Sequence, residues 1–379
     1  MAIIIEVNTK KELRQFIDFP RRLYEHQPNY ISDLDITLKG RLSRRNPFLR
    51  HSEMALFLVK ESKEGKIVGR IAAIWNKTHL DKYNDFCGFF GFFDAIDDVQ
   101  ICKMLLDHAG IWLRSKGIKA IVGPTNPTTN DSCGILCKGF EYPNQINMPY
   151  NYPYYDDLLK AVGCTGVIDL VAYEIFEKPQ LEKYVNIMRR AEGHLRRNSI
   201  EIRAMSPKTY TSDITKLRMA YNACNEGSWG FMPLNKVEFE YLASELKSIM
   251  PYDLALFAEV EGEIVGYIIA VPDFNQVLRK IRNGKLFPFG IFKILKYRKT
   301  IQSARVMLIG IKDTYRGTGM DLILYQKITE ALHQQHIFHC EASYVMSTNK
   351  TMNSLLLKIG GSPTKHYRLY KKQLSEHVS

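Results

Sequence analysis

The stretch ARVMLIGIKDTYRGTGMDLILYQKI, residues 304–328, decides the fold. Its first eight residues are apolar enough for a strand. From residue 320 on, Leu322, Tyr325, Ile328 and Leu332 recur at helical spacing. The turn between them is short, basic and glycine-rich. A strand, a glycine turn and a helix start together make an anion site. Main-chain N–H groups and the helix dipole both favour phosphate there, and consecutive N–H groups in such a turn form a concave nest. Glycine lets the main chain approach a ligand closely, and Arg316 adds a planar fork suited to phosphate oxygens. A phosphorylated ligand is therefore expected at Arg316, Gly317, Thr318, Gly319 and Met320. A plain strand-to-helix turn is the alternative reading. Asp321 follows the turn as a first-turn acid, which suits the helix dipole, and is expected to point away from the ligand.

Working outward, the chain repeats itself. EMALFLVKESKEGKIVGRIAAIWN (53–76) and DLALFAEVEGEIVGYIIAVPDFN (253–275) are both apolar strands around a glycine turn, a hairpin signal. Both contain Ala-Leu-Phe, then Ile-Val-Gly in the return strand. A further strand, a helix and another strand follow each hairpin. The first helix carries Ile101, Leu105, Ala109 and Trp112 at helical spacing. One duplicated unit is the economical account of this pattern, with a convergent αβ arrangement as the alternative. The expected domains are 1–178 and 201–379, joined by a polar, basic helix over 179–200 with Pro179 just inside its start.

The chain has 379 residues, 45% of them hydrophobic and 24% charged, which fits a globular protein of two domains. The longest apolar runs, such as 264–271, fall short of the roughly 20 residues a membrane helix needs. The start, MAIIIEVNTKKEL, reads as a strand and not a leader. Seven cysteines without framework spacing point to reduced thiols and the cytoplasm. The net charge of +12 favours an anionic partner. Nine basic residues and no acid fall within 279–305, interleaved with Phe287, Phe289, Phe292, Leu295 and other apolar residues.

Arg316-Gly317-Thr318-Gly319-Met320 resembles the Arg/Gln-x-x-Gly-x-Gly/Ala loop of the GCN5-related N-acetyltransferases (GNAT). A second block, Asn349 followed by Met352, Leu355, Leu356 and Gly360-Gly361, resembles that family's next motif. The ending KHYRLYKK resembles its closing strand. The resemblance covers residues 201–372, and the first half looks like a degenerate copy. It implies an α/β fold of two GNAT-like domains, each a mixed, mainly antiparallel sheet flanked by helices. It also implies acetyl-CoA or another acyl-CoA as co-substrate, with its pyrophosphate on the loop. The acyl group would pass to a primary amine, of a small molecule or peptide, by direct attack. Three positions depart from the family: Asp321 stands for Gly or Ala, Asp313 for a common proline, and Leu356 for the Tyr that often protonates the leaving thiolate.

In that family, main-chain N–H groups of the fourth strand stabilise the thioester oxygen, which implies Leu308, Ile309, Gly310 and Ile311. Gly310 within this strand fits a bulge or close ligand approach. Asn349 resembles the CoA-contacting Asn, with a helix N-cap as its alternative role. Glu341 is the candidate base or amine-binding group, against a solvent-facing strand position. Tyr344 and Tyr367 are candidates for the absent acid, against ordinary packing. Glu226, Trp229 and Phe231 fall where the family shapes its acceptor pocket, and a core or turn role is the alternative.

The first half has no such loop. Asp94, Asp97 and Asp98 occupy its place and suit helix capping rather than phosphate. Asn126, Asn130, Asp131, Tyr150 and Asn151 lie in long loops and are candidates for reaching the acceptor, against plain loop structure. No metal is expected, because His333, His336, His339 and Cys340 straddle a helix end and a strand. The basic stretch 279–305 reads first as a lid over the acceptor site or a cationic flank to CoA, with an acyl carrier protein or an anionic membrane as further partners and a plain solvated face as the alternative. A transferase using aminoacyl-tRNA is a rival, which the retained loop argues against. A non-catalytic CoA-binding scaffold is another, motivated by Leu356 and Asp321.

Overall fold

The structure, a computed structural model, describes residues 1–176 and 182–374. It divides into two compact units. The first holds Met1–Leu170, Val277–Lys296 and the chain from Lys365 on; the second holds the rest. Two stretches of the second half of the sequence thus belong to the first unit.

In the first unit the hairpin Glu53–Lys60 and Ile67–Trp75 is antiparallel, with Ile3–Glu6 on its outer side and Cys87–Ala95 on its inner side. Ala120–Gly123 runs parallel to Cys87–Ala95. Beyond it lies the last strand, Ser362–Gln373, whose Tyr370 to Gln373 pair with Gly123 to Ala120. The helix Val99–Arg114 covers this sheet with Ile101, Leu105 and Ala109 buried, as their spacing predicts. Its N-cap is Asp98, which accepts from the N–H groups of Gln100 and Ile101.

The second unit repeats this order with Glu201–Ala204, Ala255–Val260, Glu263–Pro272 and Ser303–Ile311 as an antiparallel set. His339–Met346 then runs parallel to Ser303–Ile311, with the helix Met320–Gln334 between them in sequence. The repeated Ile-Val-Gly has one physical cause in both units. A Cβ on Gly69 would lie 2.8 Å from Leu105, and one on Gly266 2.7 Å from Met320. In each unit the covering helix crosses the hairpin where only glycine fits. The helix Val185–Arg197 buries Met188, Ala191 and Leu195 in the core of the second unit. The helix start expected at Pro179 and the boundary at 178 lie outside the described residues.

Among the described residues, no helix is long and apolar enough to cross a membrane, and no disulfide joins the seven cysteines.

Candidate active site

In the second unit, Ser303–Ile311 and His339–Met346 pair only from Ser303↔His339 to Val306↔Ala342. Both strands run on past this point without pairing each other, so they fork. The residues of Ser303–Ile311 up to Val306 are buried, and those beyond it are half-buried. The ladder to Glu263–Pro272 steps from Ile269↔Leu308 to Ala270↔Val306, leaving Met307 as a bulge at the fork. The bulge is therefore at Met307 and not at Gly310. Gly310 is small because a Cβ there would lie 2.4 Å from the ring of the buried Tyr267.

Past Ile311 the chain reaches the glycine turn. Gly317 and Gly319 have φ of 73° and 81°, which side chains disfavour. Gly319 is the N-cap of Met320–Gln334 and has no side chain to satisfy the helix start. Among the described residues, the N–H groups of Gly317, Thr318 and Gly319 donate no hydrogen bond. A Cβ on Gly319 would also lie 2.9 Å from Ala191, whereas one on Gly317 would meet nothing. Thr318 Oγ1 donates to Tyr315 O at 2.7 Å and ties the turn together. Arg316 is 59% exposed and pairs with Asp313 at 2.9 Å, while its Nη2 donates to Cys224 O at 3.3 Å. So exposed a pair is weak, and the guanidinium stays open to solvent. Asp321 Oδ1 accepts from the N–H of Leu322 at 3.0 Å, so the acid serves its own helix.

Glu341 is fully buried, not solvent-facing. Its carboxylate accepts from Ser343 Oγ at 2.7 Å. Ser343 Oγ in turn accepts from Arg305 Nε at 2.9 Å, and Arg305 Nη2 donates to Ser343 O at 2.9 Å. Ser343 follows the last paired residue, Ala342, so this buried polar chain ends at the fork. Tyr344 comes next and is half-buried, its ring 5.5 Å from the Arg305 guanidinium. Sequence reading missed Ser343 and counted Arg305 with the solvated basic stretch. The signal for Arg305 was a lone charge inside an apolar strand. Tyr367 is buried in the first unit, on the strand paired with Ile135–Lys138. Leu356 is a fully buried core residue.

Asn349 is exposed and caps the helix Lys350–Lys358, accepting from the N–H of Met352 at 3.1 Å. Glu226 is exposed and ends the helix Tyr210–Asn225, whose Cys224 carbonyl touches Arg316. Trp229 is 41% exposed. Phe231 is buried and packs edge-on against Tyr221 at 5.7 Å, so it takes the core role.

The first unit has the same fork, but its own chain fills it. Cys87–Ala95 and Ala120–Gly123 pair from Cys87↔Ala120 to Phe89↔Val122. Beyond that, Thr125 and Asn126 pack against Cys87–Ala95: a Cβ on Gly91 would lie 1.5 Å from Thr125 O. Asn126 Oδ1 accepts from the N–H of Phe92 at 2.6 Å. Phe92 stands three residues before Ala95, the partner of Gly69, as Leu308 stands three before Ile311, the partner of Gly266. The main chain that faces the fork is thus already bonded in this copy. Asp94 does not cap a helix. It is buried, held by Arg70 Nε at 2.7 Å and Tyr24 Oη at 2.8 Å. Burial, with the Asp94 charge beside it, pushes the Tyr24 phenol well above its ordinary value. Asn151 is structural too, bonded through both side-chain ends to the main chain of Leu136.

His79, Asp85 and Cys87 lie close together, but His79 Nε2 is within 3.0 Å of Asp85, and burial pushes the Cys87 thiol up to about 12. Asp85 also accepts from the N–H of Cys87 at 3.0 Å, so its carboxylate is shared between these two neighbours. The His333 ring packs at a tilt against Phe338, centroids 5.0 Å apart, and burial pushes the Cys340 thiol up to about 12.

Two bacterial proteins resemble the chain over its length. Protein YghO of Escherichia coli (strain K12) is 33% identical, covering 96% of this chain and 94% of its own. The bacterial ceramide synthase of Caulobacter vibrioides is 31% identical, covering 98% and 97%. Among solved structures, a tandem GNAT protein from the clavulanic acid biosynthesis pathway matches at a TM-score of 0.57, 10% identity and full coverage of both chains. The fold is therefore the tandem GNAT fold. No family model matches the chain.

Proposed function

This chain belongs to the family of those two bacterial proteins, and on that premise we propose that it is an acyl-CoA-dependent N-acyltransferase acting on a primary amine. The open fork of the second unit carries the reading. It adjoins a turn with unbonded N–H groups, while the matching fork of the first unit is filled. The glycine turn and Arg316 fit a pyrophosphate in both charge and geometry. One relative is named for making ceramide, the amide of a fatty acid with a long-chain amino alcohol. That name supports a long acyl chain and a long-chain amine here, in preference to acetyl transfer.

In this reading the amine nitrogen attacks the thioester carbon as the new C–N bond forms. Main-chain N–H groups among Leu308 to Ile311 hold the oxygen as it gains charge. Ser343 Oγ takes the amine proton while passing its own to Glu341. The C–S bond then breaks, and CoA leaves as thiolate. Leu356 supplies no acid at the departing sulfur, so the pKa of the thiol itself makes release feasible.

A thermal-shift titration with CoA, acetyl-CoA and palmitoyl-CoA tests the binding step. The melting temperature is expected to rise with palmitoyl-CoA concentration and to stay flat in Arg316→Ala. Folded protein that no thioester stabilises overturns the reading. Release of free CoA thiol with a long-chain amino alcohol tests the transfer step. Glu341→Gln and Ser343→Ala are each expected to lower kcat by about 100-fold or more while keeping the thermal shift.

A further inference from the structure

The residues 279–305 keep their charge but not one common fate. Arg305 is buried beside Ser343, while Val277–Lys296 packs in the first unit with Val277, Leu278 and Ile281 buried. Gly284 O accepts from the N–H of Asp35 at 2.9 Å, which fixes this segment to the short helix Asp35–Arg41. The anchored segment then presents the helix Phe289–Tyr297. Gly290 is its buried side, since a Cβ there would lie 2.4 Å from Lys285 O. Its other side is bare. Phe287 is 67% exposed, Phe289 74%, Phe292 67% and Leu295 54%. Phe289, Phe292 and Leu295 follow one another at intervals of three and so share a side of the helix. Lys293 and Lys296, four and seven residues after Phe289, border the same side. A groove beside it is lined by Ile36, Lys39, Arg45, Lys285 and Phe287, and Ile36 is itself 55% exposed.

Single exposed apolar residues are ordinary. Three phenylalanines, a leucine and an isoleucine gathered inside a ring of lysines and arginine are not. Asp35 is the acid in the groove lining, and it is already held by Arg21. We propose that this face docks the protein on a bilayer carrying anionic phospholipid. Phe287, Phe289, Phe292 and Leu295 would enter the headgroup–acyl boundary, and Lys39, Arg45, Lys285, Lys293 and Lys296 would meet the lipid phosphates. An amphipathic helix with a cationic border is built for that depth. Each cation adds attraction that fades within a Debye length. A protein partner of acidic surface would match the lysines but not the exposed rings. The inference stands on the first unit alone and is independent of the acyl-transfer reading.

The test is cosedimentation of the full chain with phosphatidylcholine vesicles, with and without about 30% phosphatidylglycerol. The protein is expected to bind the anionic vesicles, and to bind them less as salt rises from about 0.1 M to about 0.5 M. Phe289→Ser with Phe292→Ser removes exposed side chains, so the melting temperature should hold while binding falls about tenfold or more. Lys293→Glu with Lys296→Glu should remove the preference for anionic lipid. Folded protein that ignores anionic vesicles overturns the proposal. So does binding that survives the serine changes and is lost only with the lysines, which marks a polyanion surface instead.

Discussion

At the scale of single residues, the glycine turn separates two demands that sequence alone merges. Gly319 answers to both backbone conformation and packing, because its positive φ coincides with contact to Ala191. Gly317 answers to conformation only. Gly317→Ala is expected to cost about 1–2 kcal/mol, the ordinary price of a left-handed residue. Gly319→Ala should cost about 1–3 kcal/mol more, because the added Cβ overpacks against Ala191. Urea unfolding of both variants checks the difference, and equal costs would deny the contact with Ala191. Glu341 shows the opposite kind of surprise. Its identity as a candidate was legible, because an acid stood in the right strand. Its burial was not, because the partners that make burial tolerable, Ser343 and Arg305, follow from strand pairing and not from local pattern.

At the scale of elements, the hairpins, the covering helices and the turn were all legible, because each is written in residues close together in sequence. The two forks were not. Whether parallel strands part, and what enters the gap, depends on contacts such as Asn126 to Phe92, 34 residues apart. The same distance explains why Asn126 read as a candidate for the acceptor site when its role is to close the first unit. Asn126→Ala leaves the N–H of Phe92 without its partner in a mostly buried place. That is expected to cost about 1–3 kcal/mol, measured by urea unfolding, with palmitoyl-CoA binding unchanged. A loss of ligand binding at unchanged stability would instead give Asn126 a direct role in the site.

At the scale of the whole molecule, acid should weaken the fold in two stages. Burial lowers the pKa of His79, His108 and His366 below the ordinary histidine value. The unfolded chain then binds protons that the native one refuses, so stability present above about pH 6.5 declines as pH falls below it. Asp169 is held down by hydrogen bonds from Arg368, so its contribution is present above the unfolded carboxylate value and is lost as pH falls through its lowered folded value. The melting temperature is expected to fall first between about pH 7 and 5, and again below about pH 4. A flat profile between pH 7 and 5 would mean that the three imidazoles are not shielded as their burial implies. The last strand has a consequence of a different kind. Tyr370 to Gln373 complete the ladder of Ala120–Gly123. A ribosome delivers those partners about 250 residues apart, roughly 10–50 s at about 5–20 residues per second. Through that interval the nascent sheet offers an unpaired border to whatever strand reaches it first. Slower translation of the second half lengthens the exposure, and is expected to lower the yield of soluble protein wherever that waiting edge is not shielded during synthesis.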